Sequence, residues 1–114
     1  MNNFVKGVDF LTISTISKIY LICFKDIIYC VSDGKYTSFY LTSGKVLLSS
    51  INIGEYEKVL KNSCFFRIHN SFIVNISHLI CINKKDGYYC ELSNNLRIPV
   101  SKRKLNVFLD FLKR

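Results

Sequence analysis

Asp86-Gly87 stands between two short apolar and aromatic runs, Ile80 to Asn83 and Tyr88 to Leu92. Asp-Gly accepts the positive φ angles of a tight turn, so this arrangement specifies an antiparallel hairpin with Lys84 to Gly87 at its tip. The alternation of short run and turn recurs along the chain. Phe10 to Ser14 alternates apolar and polar side chains, while Lys18 to Phe24 and Ile27 to Val31 are apolar, aromatic and β-branched. Ser32-Asp33-Gly34 turns the chain into Tyr36 to Thr42, and Ser43-Gly44 turns it into Val46 to Leu48, which reads as an antiparallel meander. Strand character returns at Cys64 to Ile68 and again after Asn75. Asn94-Asn95 then leads into Leu96 to Val100, where Pro99 marks an edge or terminal position.

Two segments change period. Ile53, Tyr56 and Leu60 stand three and four apart with Val59 beside them, which predicts a mid-chain helix ended by Asn62 and Ser63. Asn52 and Glu55 have the spacing of an N-cap and its reciprocal partner. Leu105, Phe108, Leu109 and Leu112 follow the i, i+3, i+4, i+7 pattern of a C-terminal helix, with Ser101 as its N-cap. The expected fold is mainly β with these two helices. A length of 114 residues fits one such domain with a single core.

Several classes are excluded. The longest apolar runs, Ile19 to Phe24 and Ile27 to Val31, fall far short of the roughly 20 residues of a membrane-spanning helix. No secretory signal pattern opens the chain, so the expected location is cytoplasmic, with no membrane partner. Cys23, Cys30, Cys64, Cys81 and Cys90 are odd in number and sit mostly in apolar stretches, as reduced buried thiols do. Cys64-x4-His69 with His78-x2-Cys81 fits no standard zinc module, so neither metal nor cofactor is expected. The acidic residues form no obvious dyad, no nucleophile signature accompanies Cys64, and no glycine-rich phosphate cradle is present; the chain does not read as an enzyme.

Charge gives the positive indication. Residues 1–60 carry six basic and five acidic side chains, whereas residues 61–114 carry ten basic and three acidic. This asymmetry suits a polyanionic partner, or else a solubilising surface. Lys102-Arg103-Lys104 opens the last helix, where cations oppose the macrodipole; the chain either has a phosphate partner there, the reading taken, or tolerates a small penalty. The stretch Phe65-Phe66-Arg67-Ile68-His69-Asn70-Ser71-Phe72-Ile73-Val74-Asn75 interleaves polar residues with apolar anchors. Asn pairs bidentately with adenine, Arg forks onto phosphate or guanine, and Ser hydroxyls suit phosphate oxygens. The alternative for His69, Asn70 and Asn75 is that each satisfies backbone groups in a tight turn.

The stretch F-F-R-I-H-N-S-F-I-V-N-I-S-H-L resembles the signature of the LytTR-type DNA-binding domain of bacterial response regulators. Lys25 to Tyr29, Ser32 to Thr37 and Ile98 to Lys102 resemble three further family segments in the same order. The likeness runs from about Phe10 to Leu112. It implies an elongated, mostly antiparallel β domain over residues 10–114, with residues 1–9 as an N-terminal extension or linker. It also implies sequence-specific binding of double-stranded DNA in transcription regulation, through loops entering the major groove. Carried over, the base-reading positions are Lys35, Asn70 and Lys102. Many members have Arg after V-S where this chain has Lys102, so Arg103 shares that task. Tyr36, Arg67, His69, Ser71, Ser101 and Lys104 are expected at phosphates. A receiver domain in cis, if the chain is a fragment, and a dimer on tandem DNA repeats are the further partners implied.

Lys84 and Lys85 serve either a distal phosphate or a solvated turn, and Tyr36, Tyr88 and Tyr89 read better as strand packing than as base-stacking platforms. The competing function is a β-rich protein-interaction module whose basic face binds an acidic partner. A single-strand or RNA binder ranks third, since it needs a row of exposed aromatics.

Overall fold

The computed structural model describes residues 4, 5 and 8–113, with only the backbone of residues 4, 5 and 8. Residues 1–3, 6 and 7 of the expected extension, and Arg114, lie outside the described residues. Strands β1 (Phe4–Val5), β2 (Val8–Ser14) and β3 (Ile19–Cys23) form one antiparallel sheet, so strand structure begins before Phe10. The central sheet has five strands in the order β6-β5-β4-β8-β7. These are β4 (Ile27–Asp33), β5 (Tyr36–Leu41), β6 (Val46–Ser49), β7 (Phe65–His69) and β8 (Phe72–Asn75). A third antiparallel sheet contains β9 (Leu79–Asn83), β10 (Tyr89–Leu92) and β11 (Arg97–Pro99). Helix α1 (Ile53–Val59) links β6 to β7, and α2 (Lys102–Leu112) ends the chain.

Both faces of the central sheet are covered, which explains the four consecutive buried residues Ile27, Ile28, Tyr29 and Cys30 of β4. On one face, Leu11 and Ile13 of β2 and Ile53, Tyr56 and Leu60 around α1 pack on Ile27, Phe39, Phe65 and Ile73. On the other, Cys90, Leu92, Ile98 and Phe108 pack on Ile28, Tyr29, Ile68 and Val74. Alternate residues of β8, Ile73 and Val74, therefore serve opposite cores. The molecule measures 42 × 32 × 24 Å, the elongated domain expected.

Local chemistry accounts for the element ends. Asn52 Oδ1 accepts from the Glu55 N–H at 3.2 Å. The Glu55 carboxylate pairs with Lys58 at 3.1 Å rather than returning to the cap. Ser101 Oγ accepts from the Lys104 N–H at 3.2 Å and opens α2 as expected. Pro99 lies on β11, an edge strand of its sheet. Two expectations need correction. Phe24–Asp26 is a short 3-10 turn rather than the end of β3. The strand after the Asn70 bend starts at Phe72, before Asn75, and Ile76–His78 is a second 3-10 turn. Asn75 causes the break, because its side chain is needed inside. It donates to the Phe24 and Ile27 carbonyls at 2.9 Å each, and it accepts from the Ser77 N–H at 3.0 Å and the Ser77 hydroxyl at 2.7 Å.

Candidate nucleic-acid interface

Antiparallel register places the relevant turns at one end of the central sheet. Asp33 opposes Tyr36, so Gly34-Lys35 is a two-residue hairpin turn. Gly34 has φ +60°, the conformation that the first position of such a turn requires. Lys35 at its tip is exposed, and Tyr36 is 42% exposed. Asn70-Ser71 forms the turn from β7 to β8, beside a register shift between Arg67 and His69. The Ser32 N–H donates to the Ser71 carbonyl at 2.8 Å, which ties this turn to the outgoing end of β4. Gly34 lies three residues beyond Val31, the partner of Phe72, so the Lys35 hairpin reaches about 10 Å further out.

The start of α2 is fastened to the same end. The Ser101 N–H donates to the Ile68 carbonyl at 2.9 Å. Arg103 Nη2 donates to Asn70 Oδ1, also at 2.9 Å, across 33 residues of chain. Two side chains expected to read bases are thus in direct contact, and both are exposed. Lys102 faces another way, lining a groove with Gly87, Tyr88, Pro99 and Val100. Lys104 lines a different groove, with Glu57, Phe66, Arg67 and Phe111. The hairpin tip with Lys84 and Lys85 belongs to this end too, since the Val100 N–H donates to the Tyr88 carbonyl at 2.9 Å.

Three residues assigned to phosphate by the sequence have partners inside the protein. Arg67 Nη1 meets Glu57 Oε1 at 2.7 Å, and its Nη2 donates to the Asn70 carbonyl at 2.6 Å. Its fork holds the turn in shape from beneath. His69 Nδ1 accepts from the Ser71 N–H at 3.1 Å, which puts the proton of the neutral ring on Nε2. The Ser101 hydroxyl is the helix cap. Sequence reasoning missed Glu57 altogether, because nothing in a ten-residue separation spanning a helix end signals that pairing.

The remaining motifs are structural. His78 bonds the Ser93 hydroxyl through Nδ1 at 2.9 Å and the Lys25 carbonyl through Nε2 at 2.7 Å. Among the described residues no three His, Cys, Asp or Glu side chains cluster as metal ligands would. Burial raises the Cys30 thiol well above its ordinary value and pushes Cys90 up to about 12. These thiols stay protonated and unreactive at neutral pH. Among the described residues no helix is long and apolar enough to cross a membrane.

The profile of the LytTr DNA-binding domain family matches residues 17–113. The chain belongs to this family. A solved LytTr DNA-binding domain from Bacillus cereus, described as part of a methyl-accepting/DNA response regulator, superposes with a TM-score of 0.77 at 25% identity. That match covers 90% of this chain and 95% of the other. The heme-containing CO-sensing transcriptional regulator RcoM 2 of Paraburkholderia xenovorans (strain LB400) is 29% identical over 89 residues. The match covers 75% of this chain but 33% of that regulator. By this membership the chain is a DNA-binding domain.

Proposed function

We propose that the chain reads specific sequences in double-stranded DNA by placing the turns at one end of its central sheet into the major groove. The contact between Asn70 and Arg103 carries this reading. It joins a sheet turn to a helix start in one exposed, polar, donor-rich surface, as base-edge readout needs. Lys35 sits on the neighbouring hairpin and reads a base or anchors the backbone. Lys102 contributes charge or a monodentate base contact beside the Asn70–Arg103 pair. Tyr36, Ser71, Lys104, Lys84 and Lys85 border this surface and engage phosphates, assisted by open backbone N–H groups at the start of α2. Arg67, His69 and Ser101 hold the turn and the helix start in place for those contacts.

The surface is electrostatic as well as specific. Neutralising about six phosphates weakens binding roughly a thousandfold between 50 and 200 mM salt. The reading extends to a receiver domain in cis and to two copies on tandem sites, and sedimentation on one-site and two-site duplexes measures the number of copies bound. Selection of bound duplexes from a random pool tests the core claim. Enrichment of a defined sequence, with steep salt dependence, is the expected result. No retention at low salt with protein in excess would refute it and favour an acidic protein partner.

A further inference from the structure

We propose that the chain pairs with a second copy of itself along β3, the two strands running antiparallel and joining the β1-β2-β3 sheets of both copies into one. β3 is the outer strand of its sheet, and among the described residues no strand bonds to its far edge. Natural sheets guard a free edge with charges, Pro or bulges. Ile19-Tyr20-Leu21-Ile22-Cys23 contains no charge and no Pro, and its register with β2 is regular. A strand with one face in water alternates apolar and polar side chains. Tyr20 and Ile22 supply the inner face, packed against the first core. The outer face should be polar, yet Ile19 is 68% and Leu21 65% exposed, and Ile16 in the adjoining turn is 86% exposed. β3 thus has the composition of a strand covered on both faces, with one face open in the single chain.

Hairpin geometry fixes which backbone groups the free edge offers. The Thr15 N–H donates to the Lys18 carbonyl at 2.8 Å, which makes Thr15 and Lys18 a bonded pair of the β2–β3 hairpin. Bonded and non-bonded pairs alternate along an antiparallel ladder. The register sets Ile19 opposite Ser14, Tyr20 opposite Ile13 and Leu21 opposite Thr12. Tyr20 and Ile22 therefore turn their N–H and C=O toward β2, and Ile19, Leu21 and Cys23 turn theirs outward. A second β3 fits this edge. Antiparallel and centred on Leu21, it sets Leu21 opposite Leu21 and Ile19 opposite Cys23. Every outward N–H and C=O of these residues is then bonded, and apolar side chains meet across the seam.

Charge selects this edge and a copy of the chain as its occupant. β9 is also an outer strand, with Ile80 largely exposed, but it runs into Lys84 and Lys85 in the strongly basic half, where a second copy is repelled. From residue 9 to 26 the β2–β3 hairpin holds Asp9 and Asp26 against Lys18 and Lys25, which cancel within a chain of net charge +8. A neutral, apolar edge offers nothing to a nucleic acid or an acidic protein, and it meets its own copy without repulsion. The pairing needs no DNA and stands apart from the proposed DNA reading.

Sedimentation equilibrium of the 114-residue chain without DNA tests it. A reversible monomer–dimer equilibrium is expected over about a hundredfold range of concentration. Leu21→Lys, at an exposed position, should weaken association by about tenfold or more with the urea midpoint unchanged. Leu21→Thr keeps the strand preference, trims the apolar contact and should act in the same direction. Ile80→Lys should leave association as it is. In hydrogen exchange read residue by residue, the Ile19, Leu21 and Cys23 amides should slow as concentration rises. Those of Tyr20 and Ile22, already bonded within the chain, should not change. A chain that stays monomeric over that range leaves the edge to a partner of another kind and overturns the proposal. So does a dimer that Leu21→Lys and Leu21→Thr leave intact, or one without added protection at the three outward amides.

Discussion

Replacing Asn75 with Ala should cost this domain a large part of its stability while leaving its DNA contacts untouched. The residue is fully buried and makes four hydrogen bonds, joining the end of β8 to the 3-10 turn after β3 and to the first residue of β4. A net hydrogen bond is worth about 1 kcal/mol, and a buried polar group left without its partner costs about 1–3 kcal/mol. The substitution withdraws the donor from two carbonyls and the acceptor from Ser77, so a loss of about 3–5 kcal/mol is expected. A domain of this size has about 5–15 kcal/mol in total. With a urea slope of about 2 kcal/mol/M, the unfolding midpoint should fall by about 1.5–2.5 M. Asn75→Asp keeps the acceptor and the shape but loses the donors, and should come close to the same value. DNA affinity, measured on the folded fraction at low temperature, should match wild type. A midpoint within about 0.5 M of wild type would refute the hydrogen-bond argument, and a selective loss of DNA affinity would make Asn75 a contact after all.

Other outcomes follow from the same geometry. Asn70→Ala should lose about 1–3 kcal/mol of discrimination at one base pair, read by competition between cognate and substituted duplexes. Lys104→Ala should weaken all sequences alike and lower the slope of log K against log salt by about 0.9. Burial, with Tyr40 adding to it, pushes the Tyr29 phenol from 10.0 up to about 12, and burial pushes the Cys90 thiol from 9.0 up to about 12. Both groups are held in their protonated forms by the fold. Their contribution is complete below the unfolded-chain values and is lost as pH rises toward 12. Urea midpoints should therefore hold steady to about pH 8.5 and then decline, and a flat profile to pH 11 would contradict the assignment.

The elements themselves were legible because their signals are local. Asp86-Gly87 placed a hairpin, Leu105 to Leu112 a helix, and Asn52 and Ser101 the N-caps of α1 and α2, each within a few residues of chain. Pairing across distance was not legible. That β8 inserts between β4 and β7 follows from burial on both faces of β4, which the run Ile27 to Cys30 shares with any buried strand. Asn75 illustrates the limit at the site. It sits in the same motif as Asn70 and has identical chemistry, yet Asn70 is exposed and meets Arg103, whereas Asn75 is buried and bonds Phe24, Ile27 and Ser77. Only the pleat and the turn decide between them. Arg67 was visible as a forked cation, but Glu57 was not, so its role as a brace beneath the turn emerged with the fold. The resemblance pointed to Lys102 with Arg103 at the start of α2; the angular step of the helix sets Arg103 against Asn70 and Lys102 in the groove with Gly87 and Tyr88, which no local signal announces.

Helix α2 divides its labour along its length. Phe108 seals the second core, whereas Lys102 and Arg103 in the first turn are exposed, and the Ser101 N–H and the Arg103–Asn70 bond tie that turn to the sheet. On the proposed DNA reading, a change of residue at 102 or 103 would alter what the domain recognises at little expense to its folding. On that reading the framework behind this turn is a fixed mount, and its tips are interchangeable.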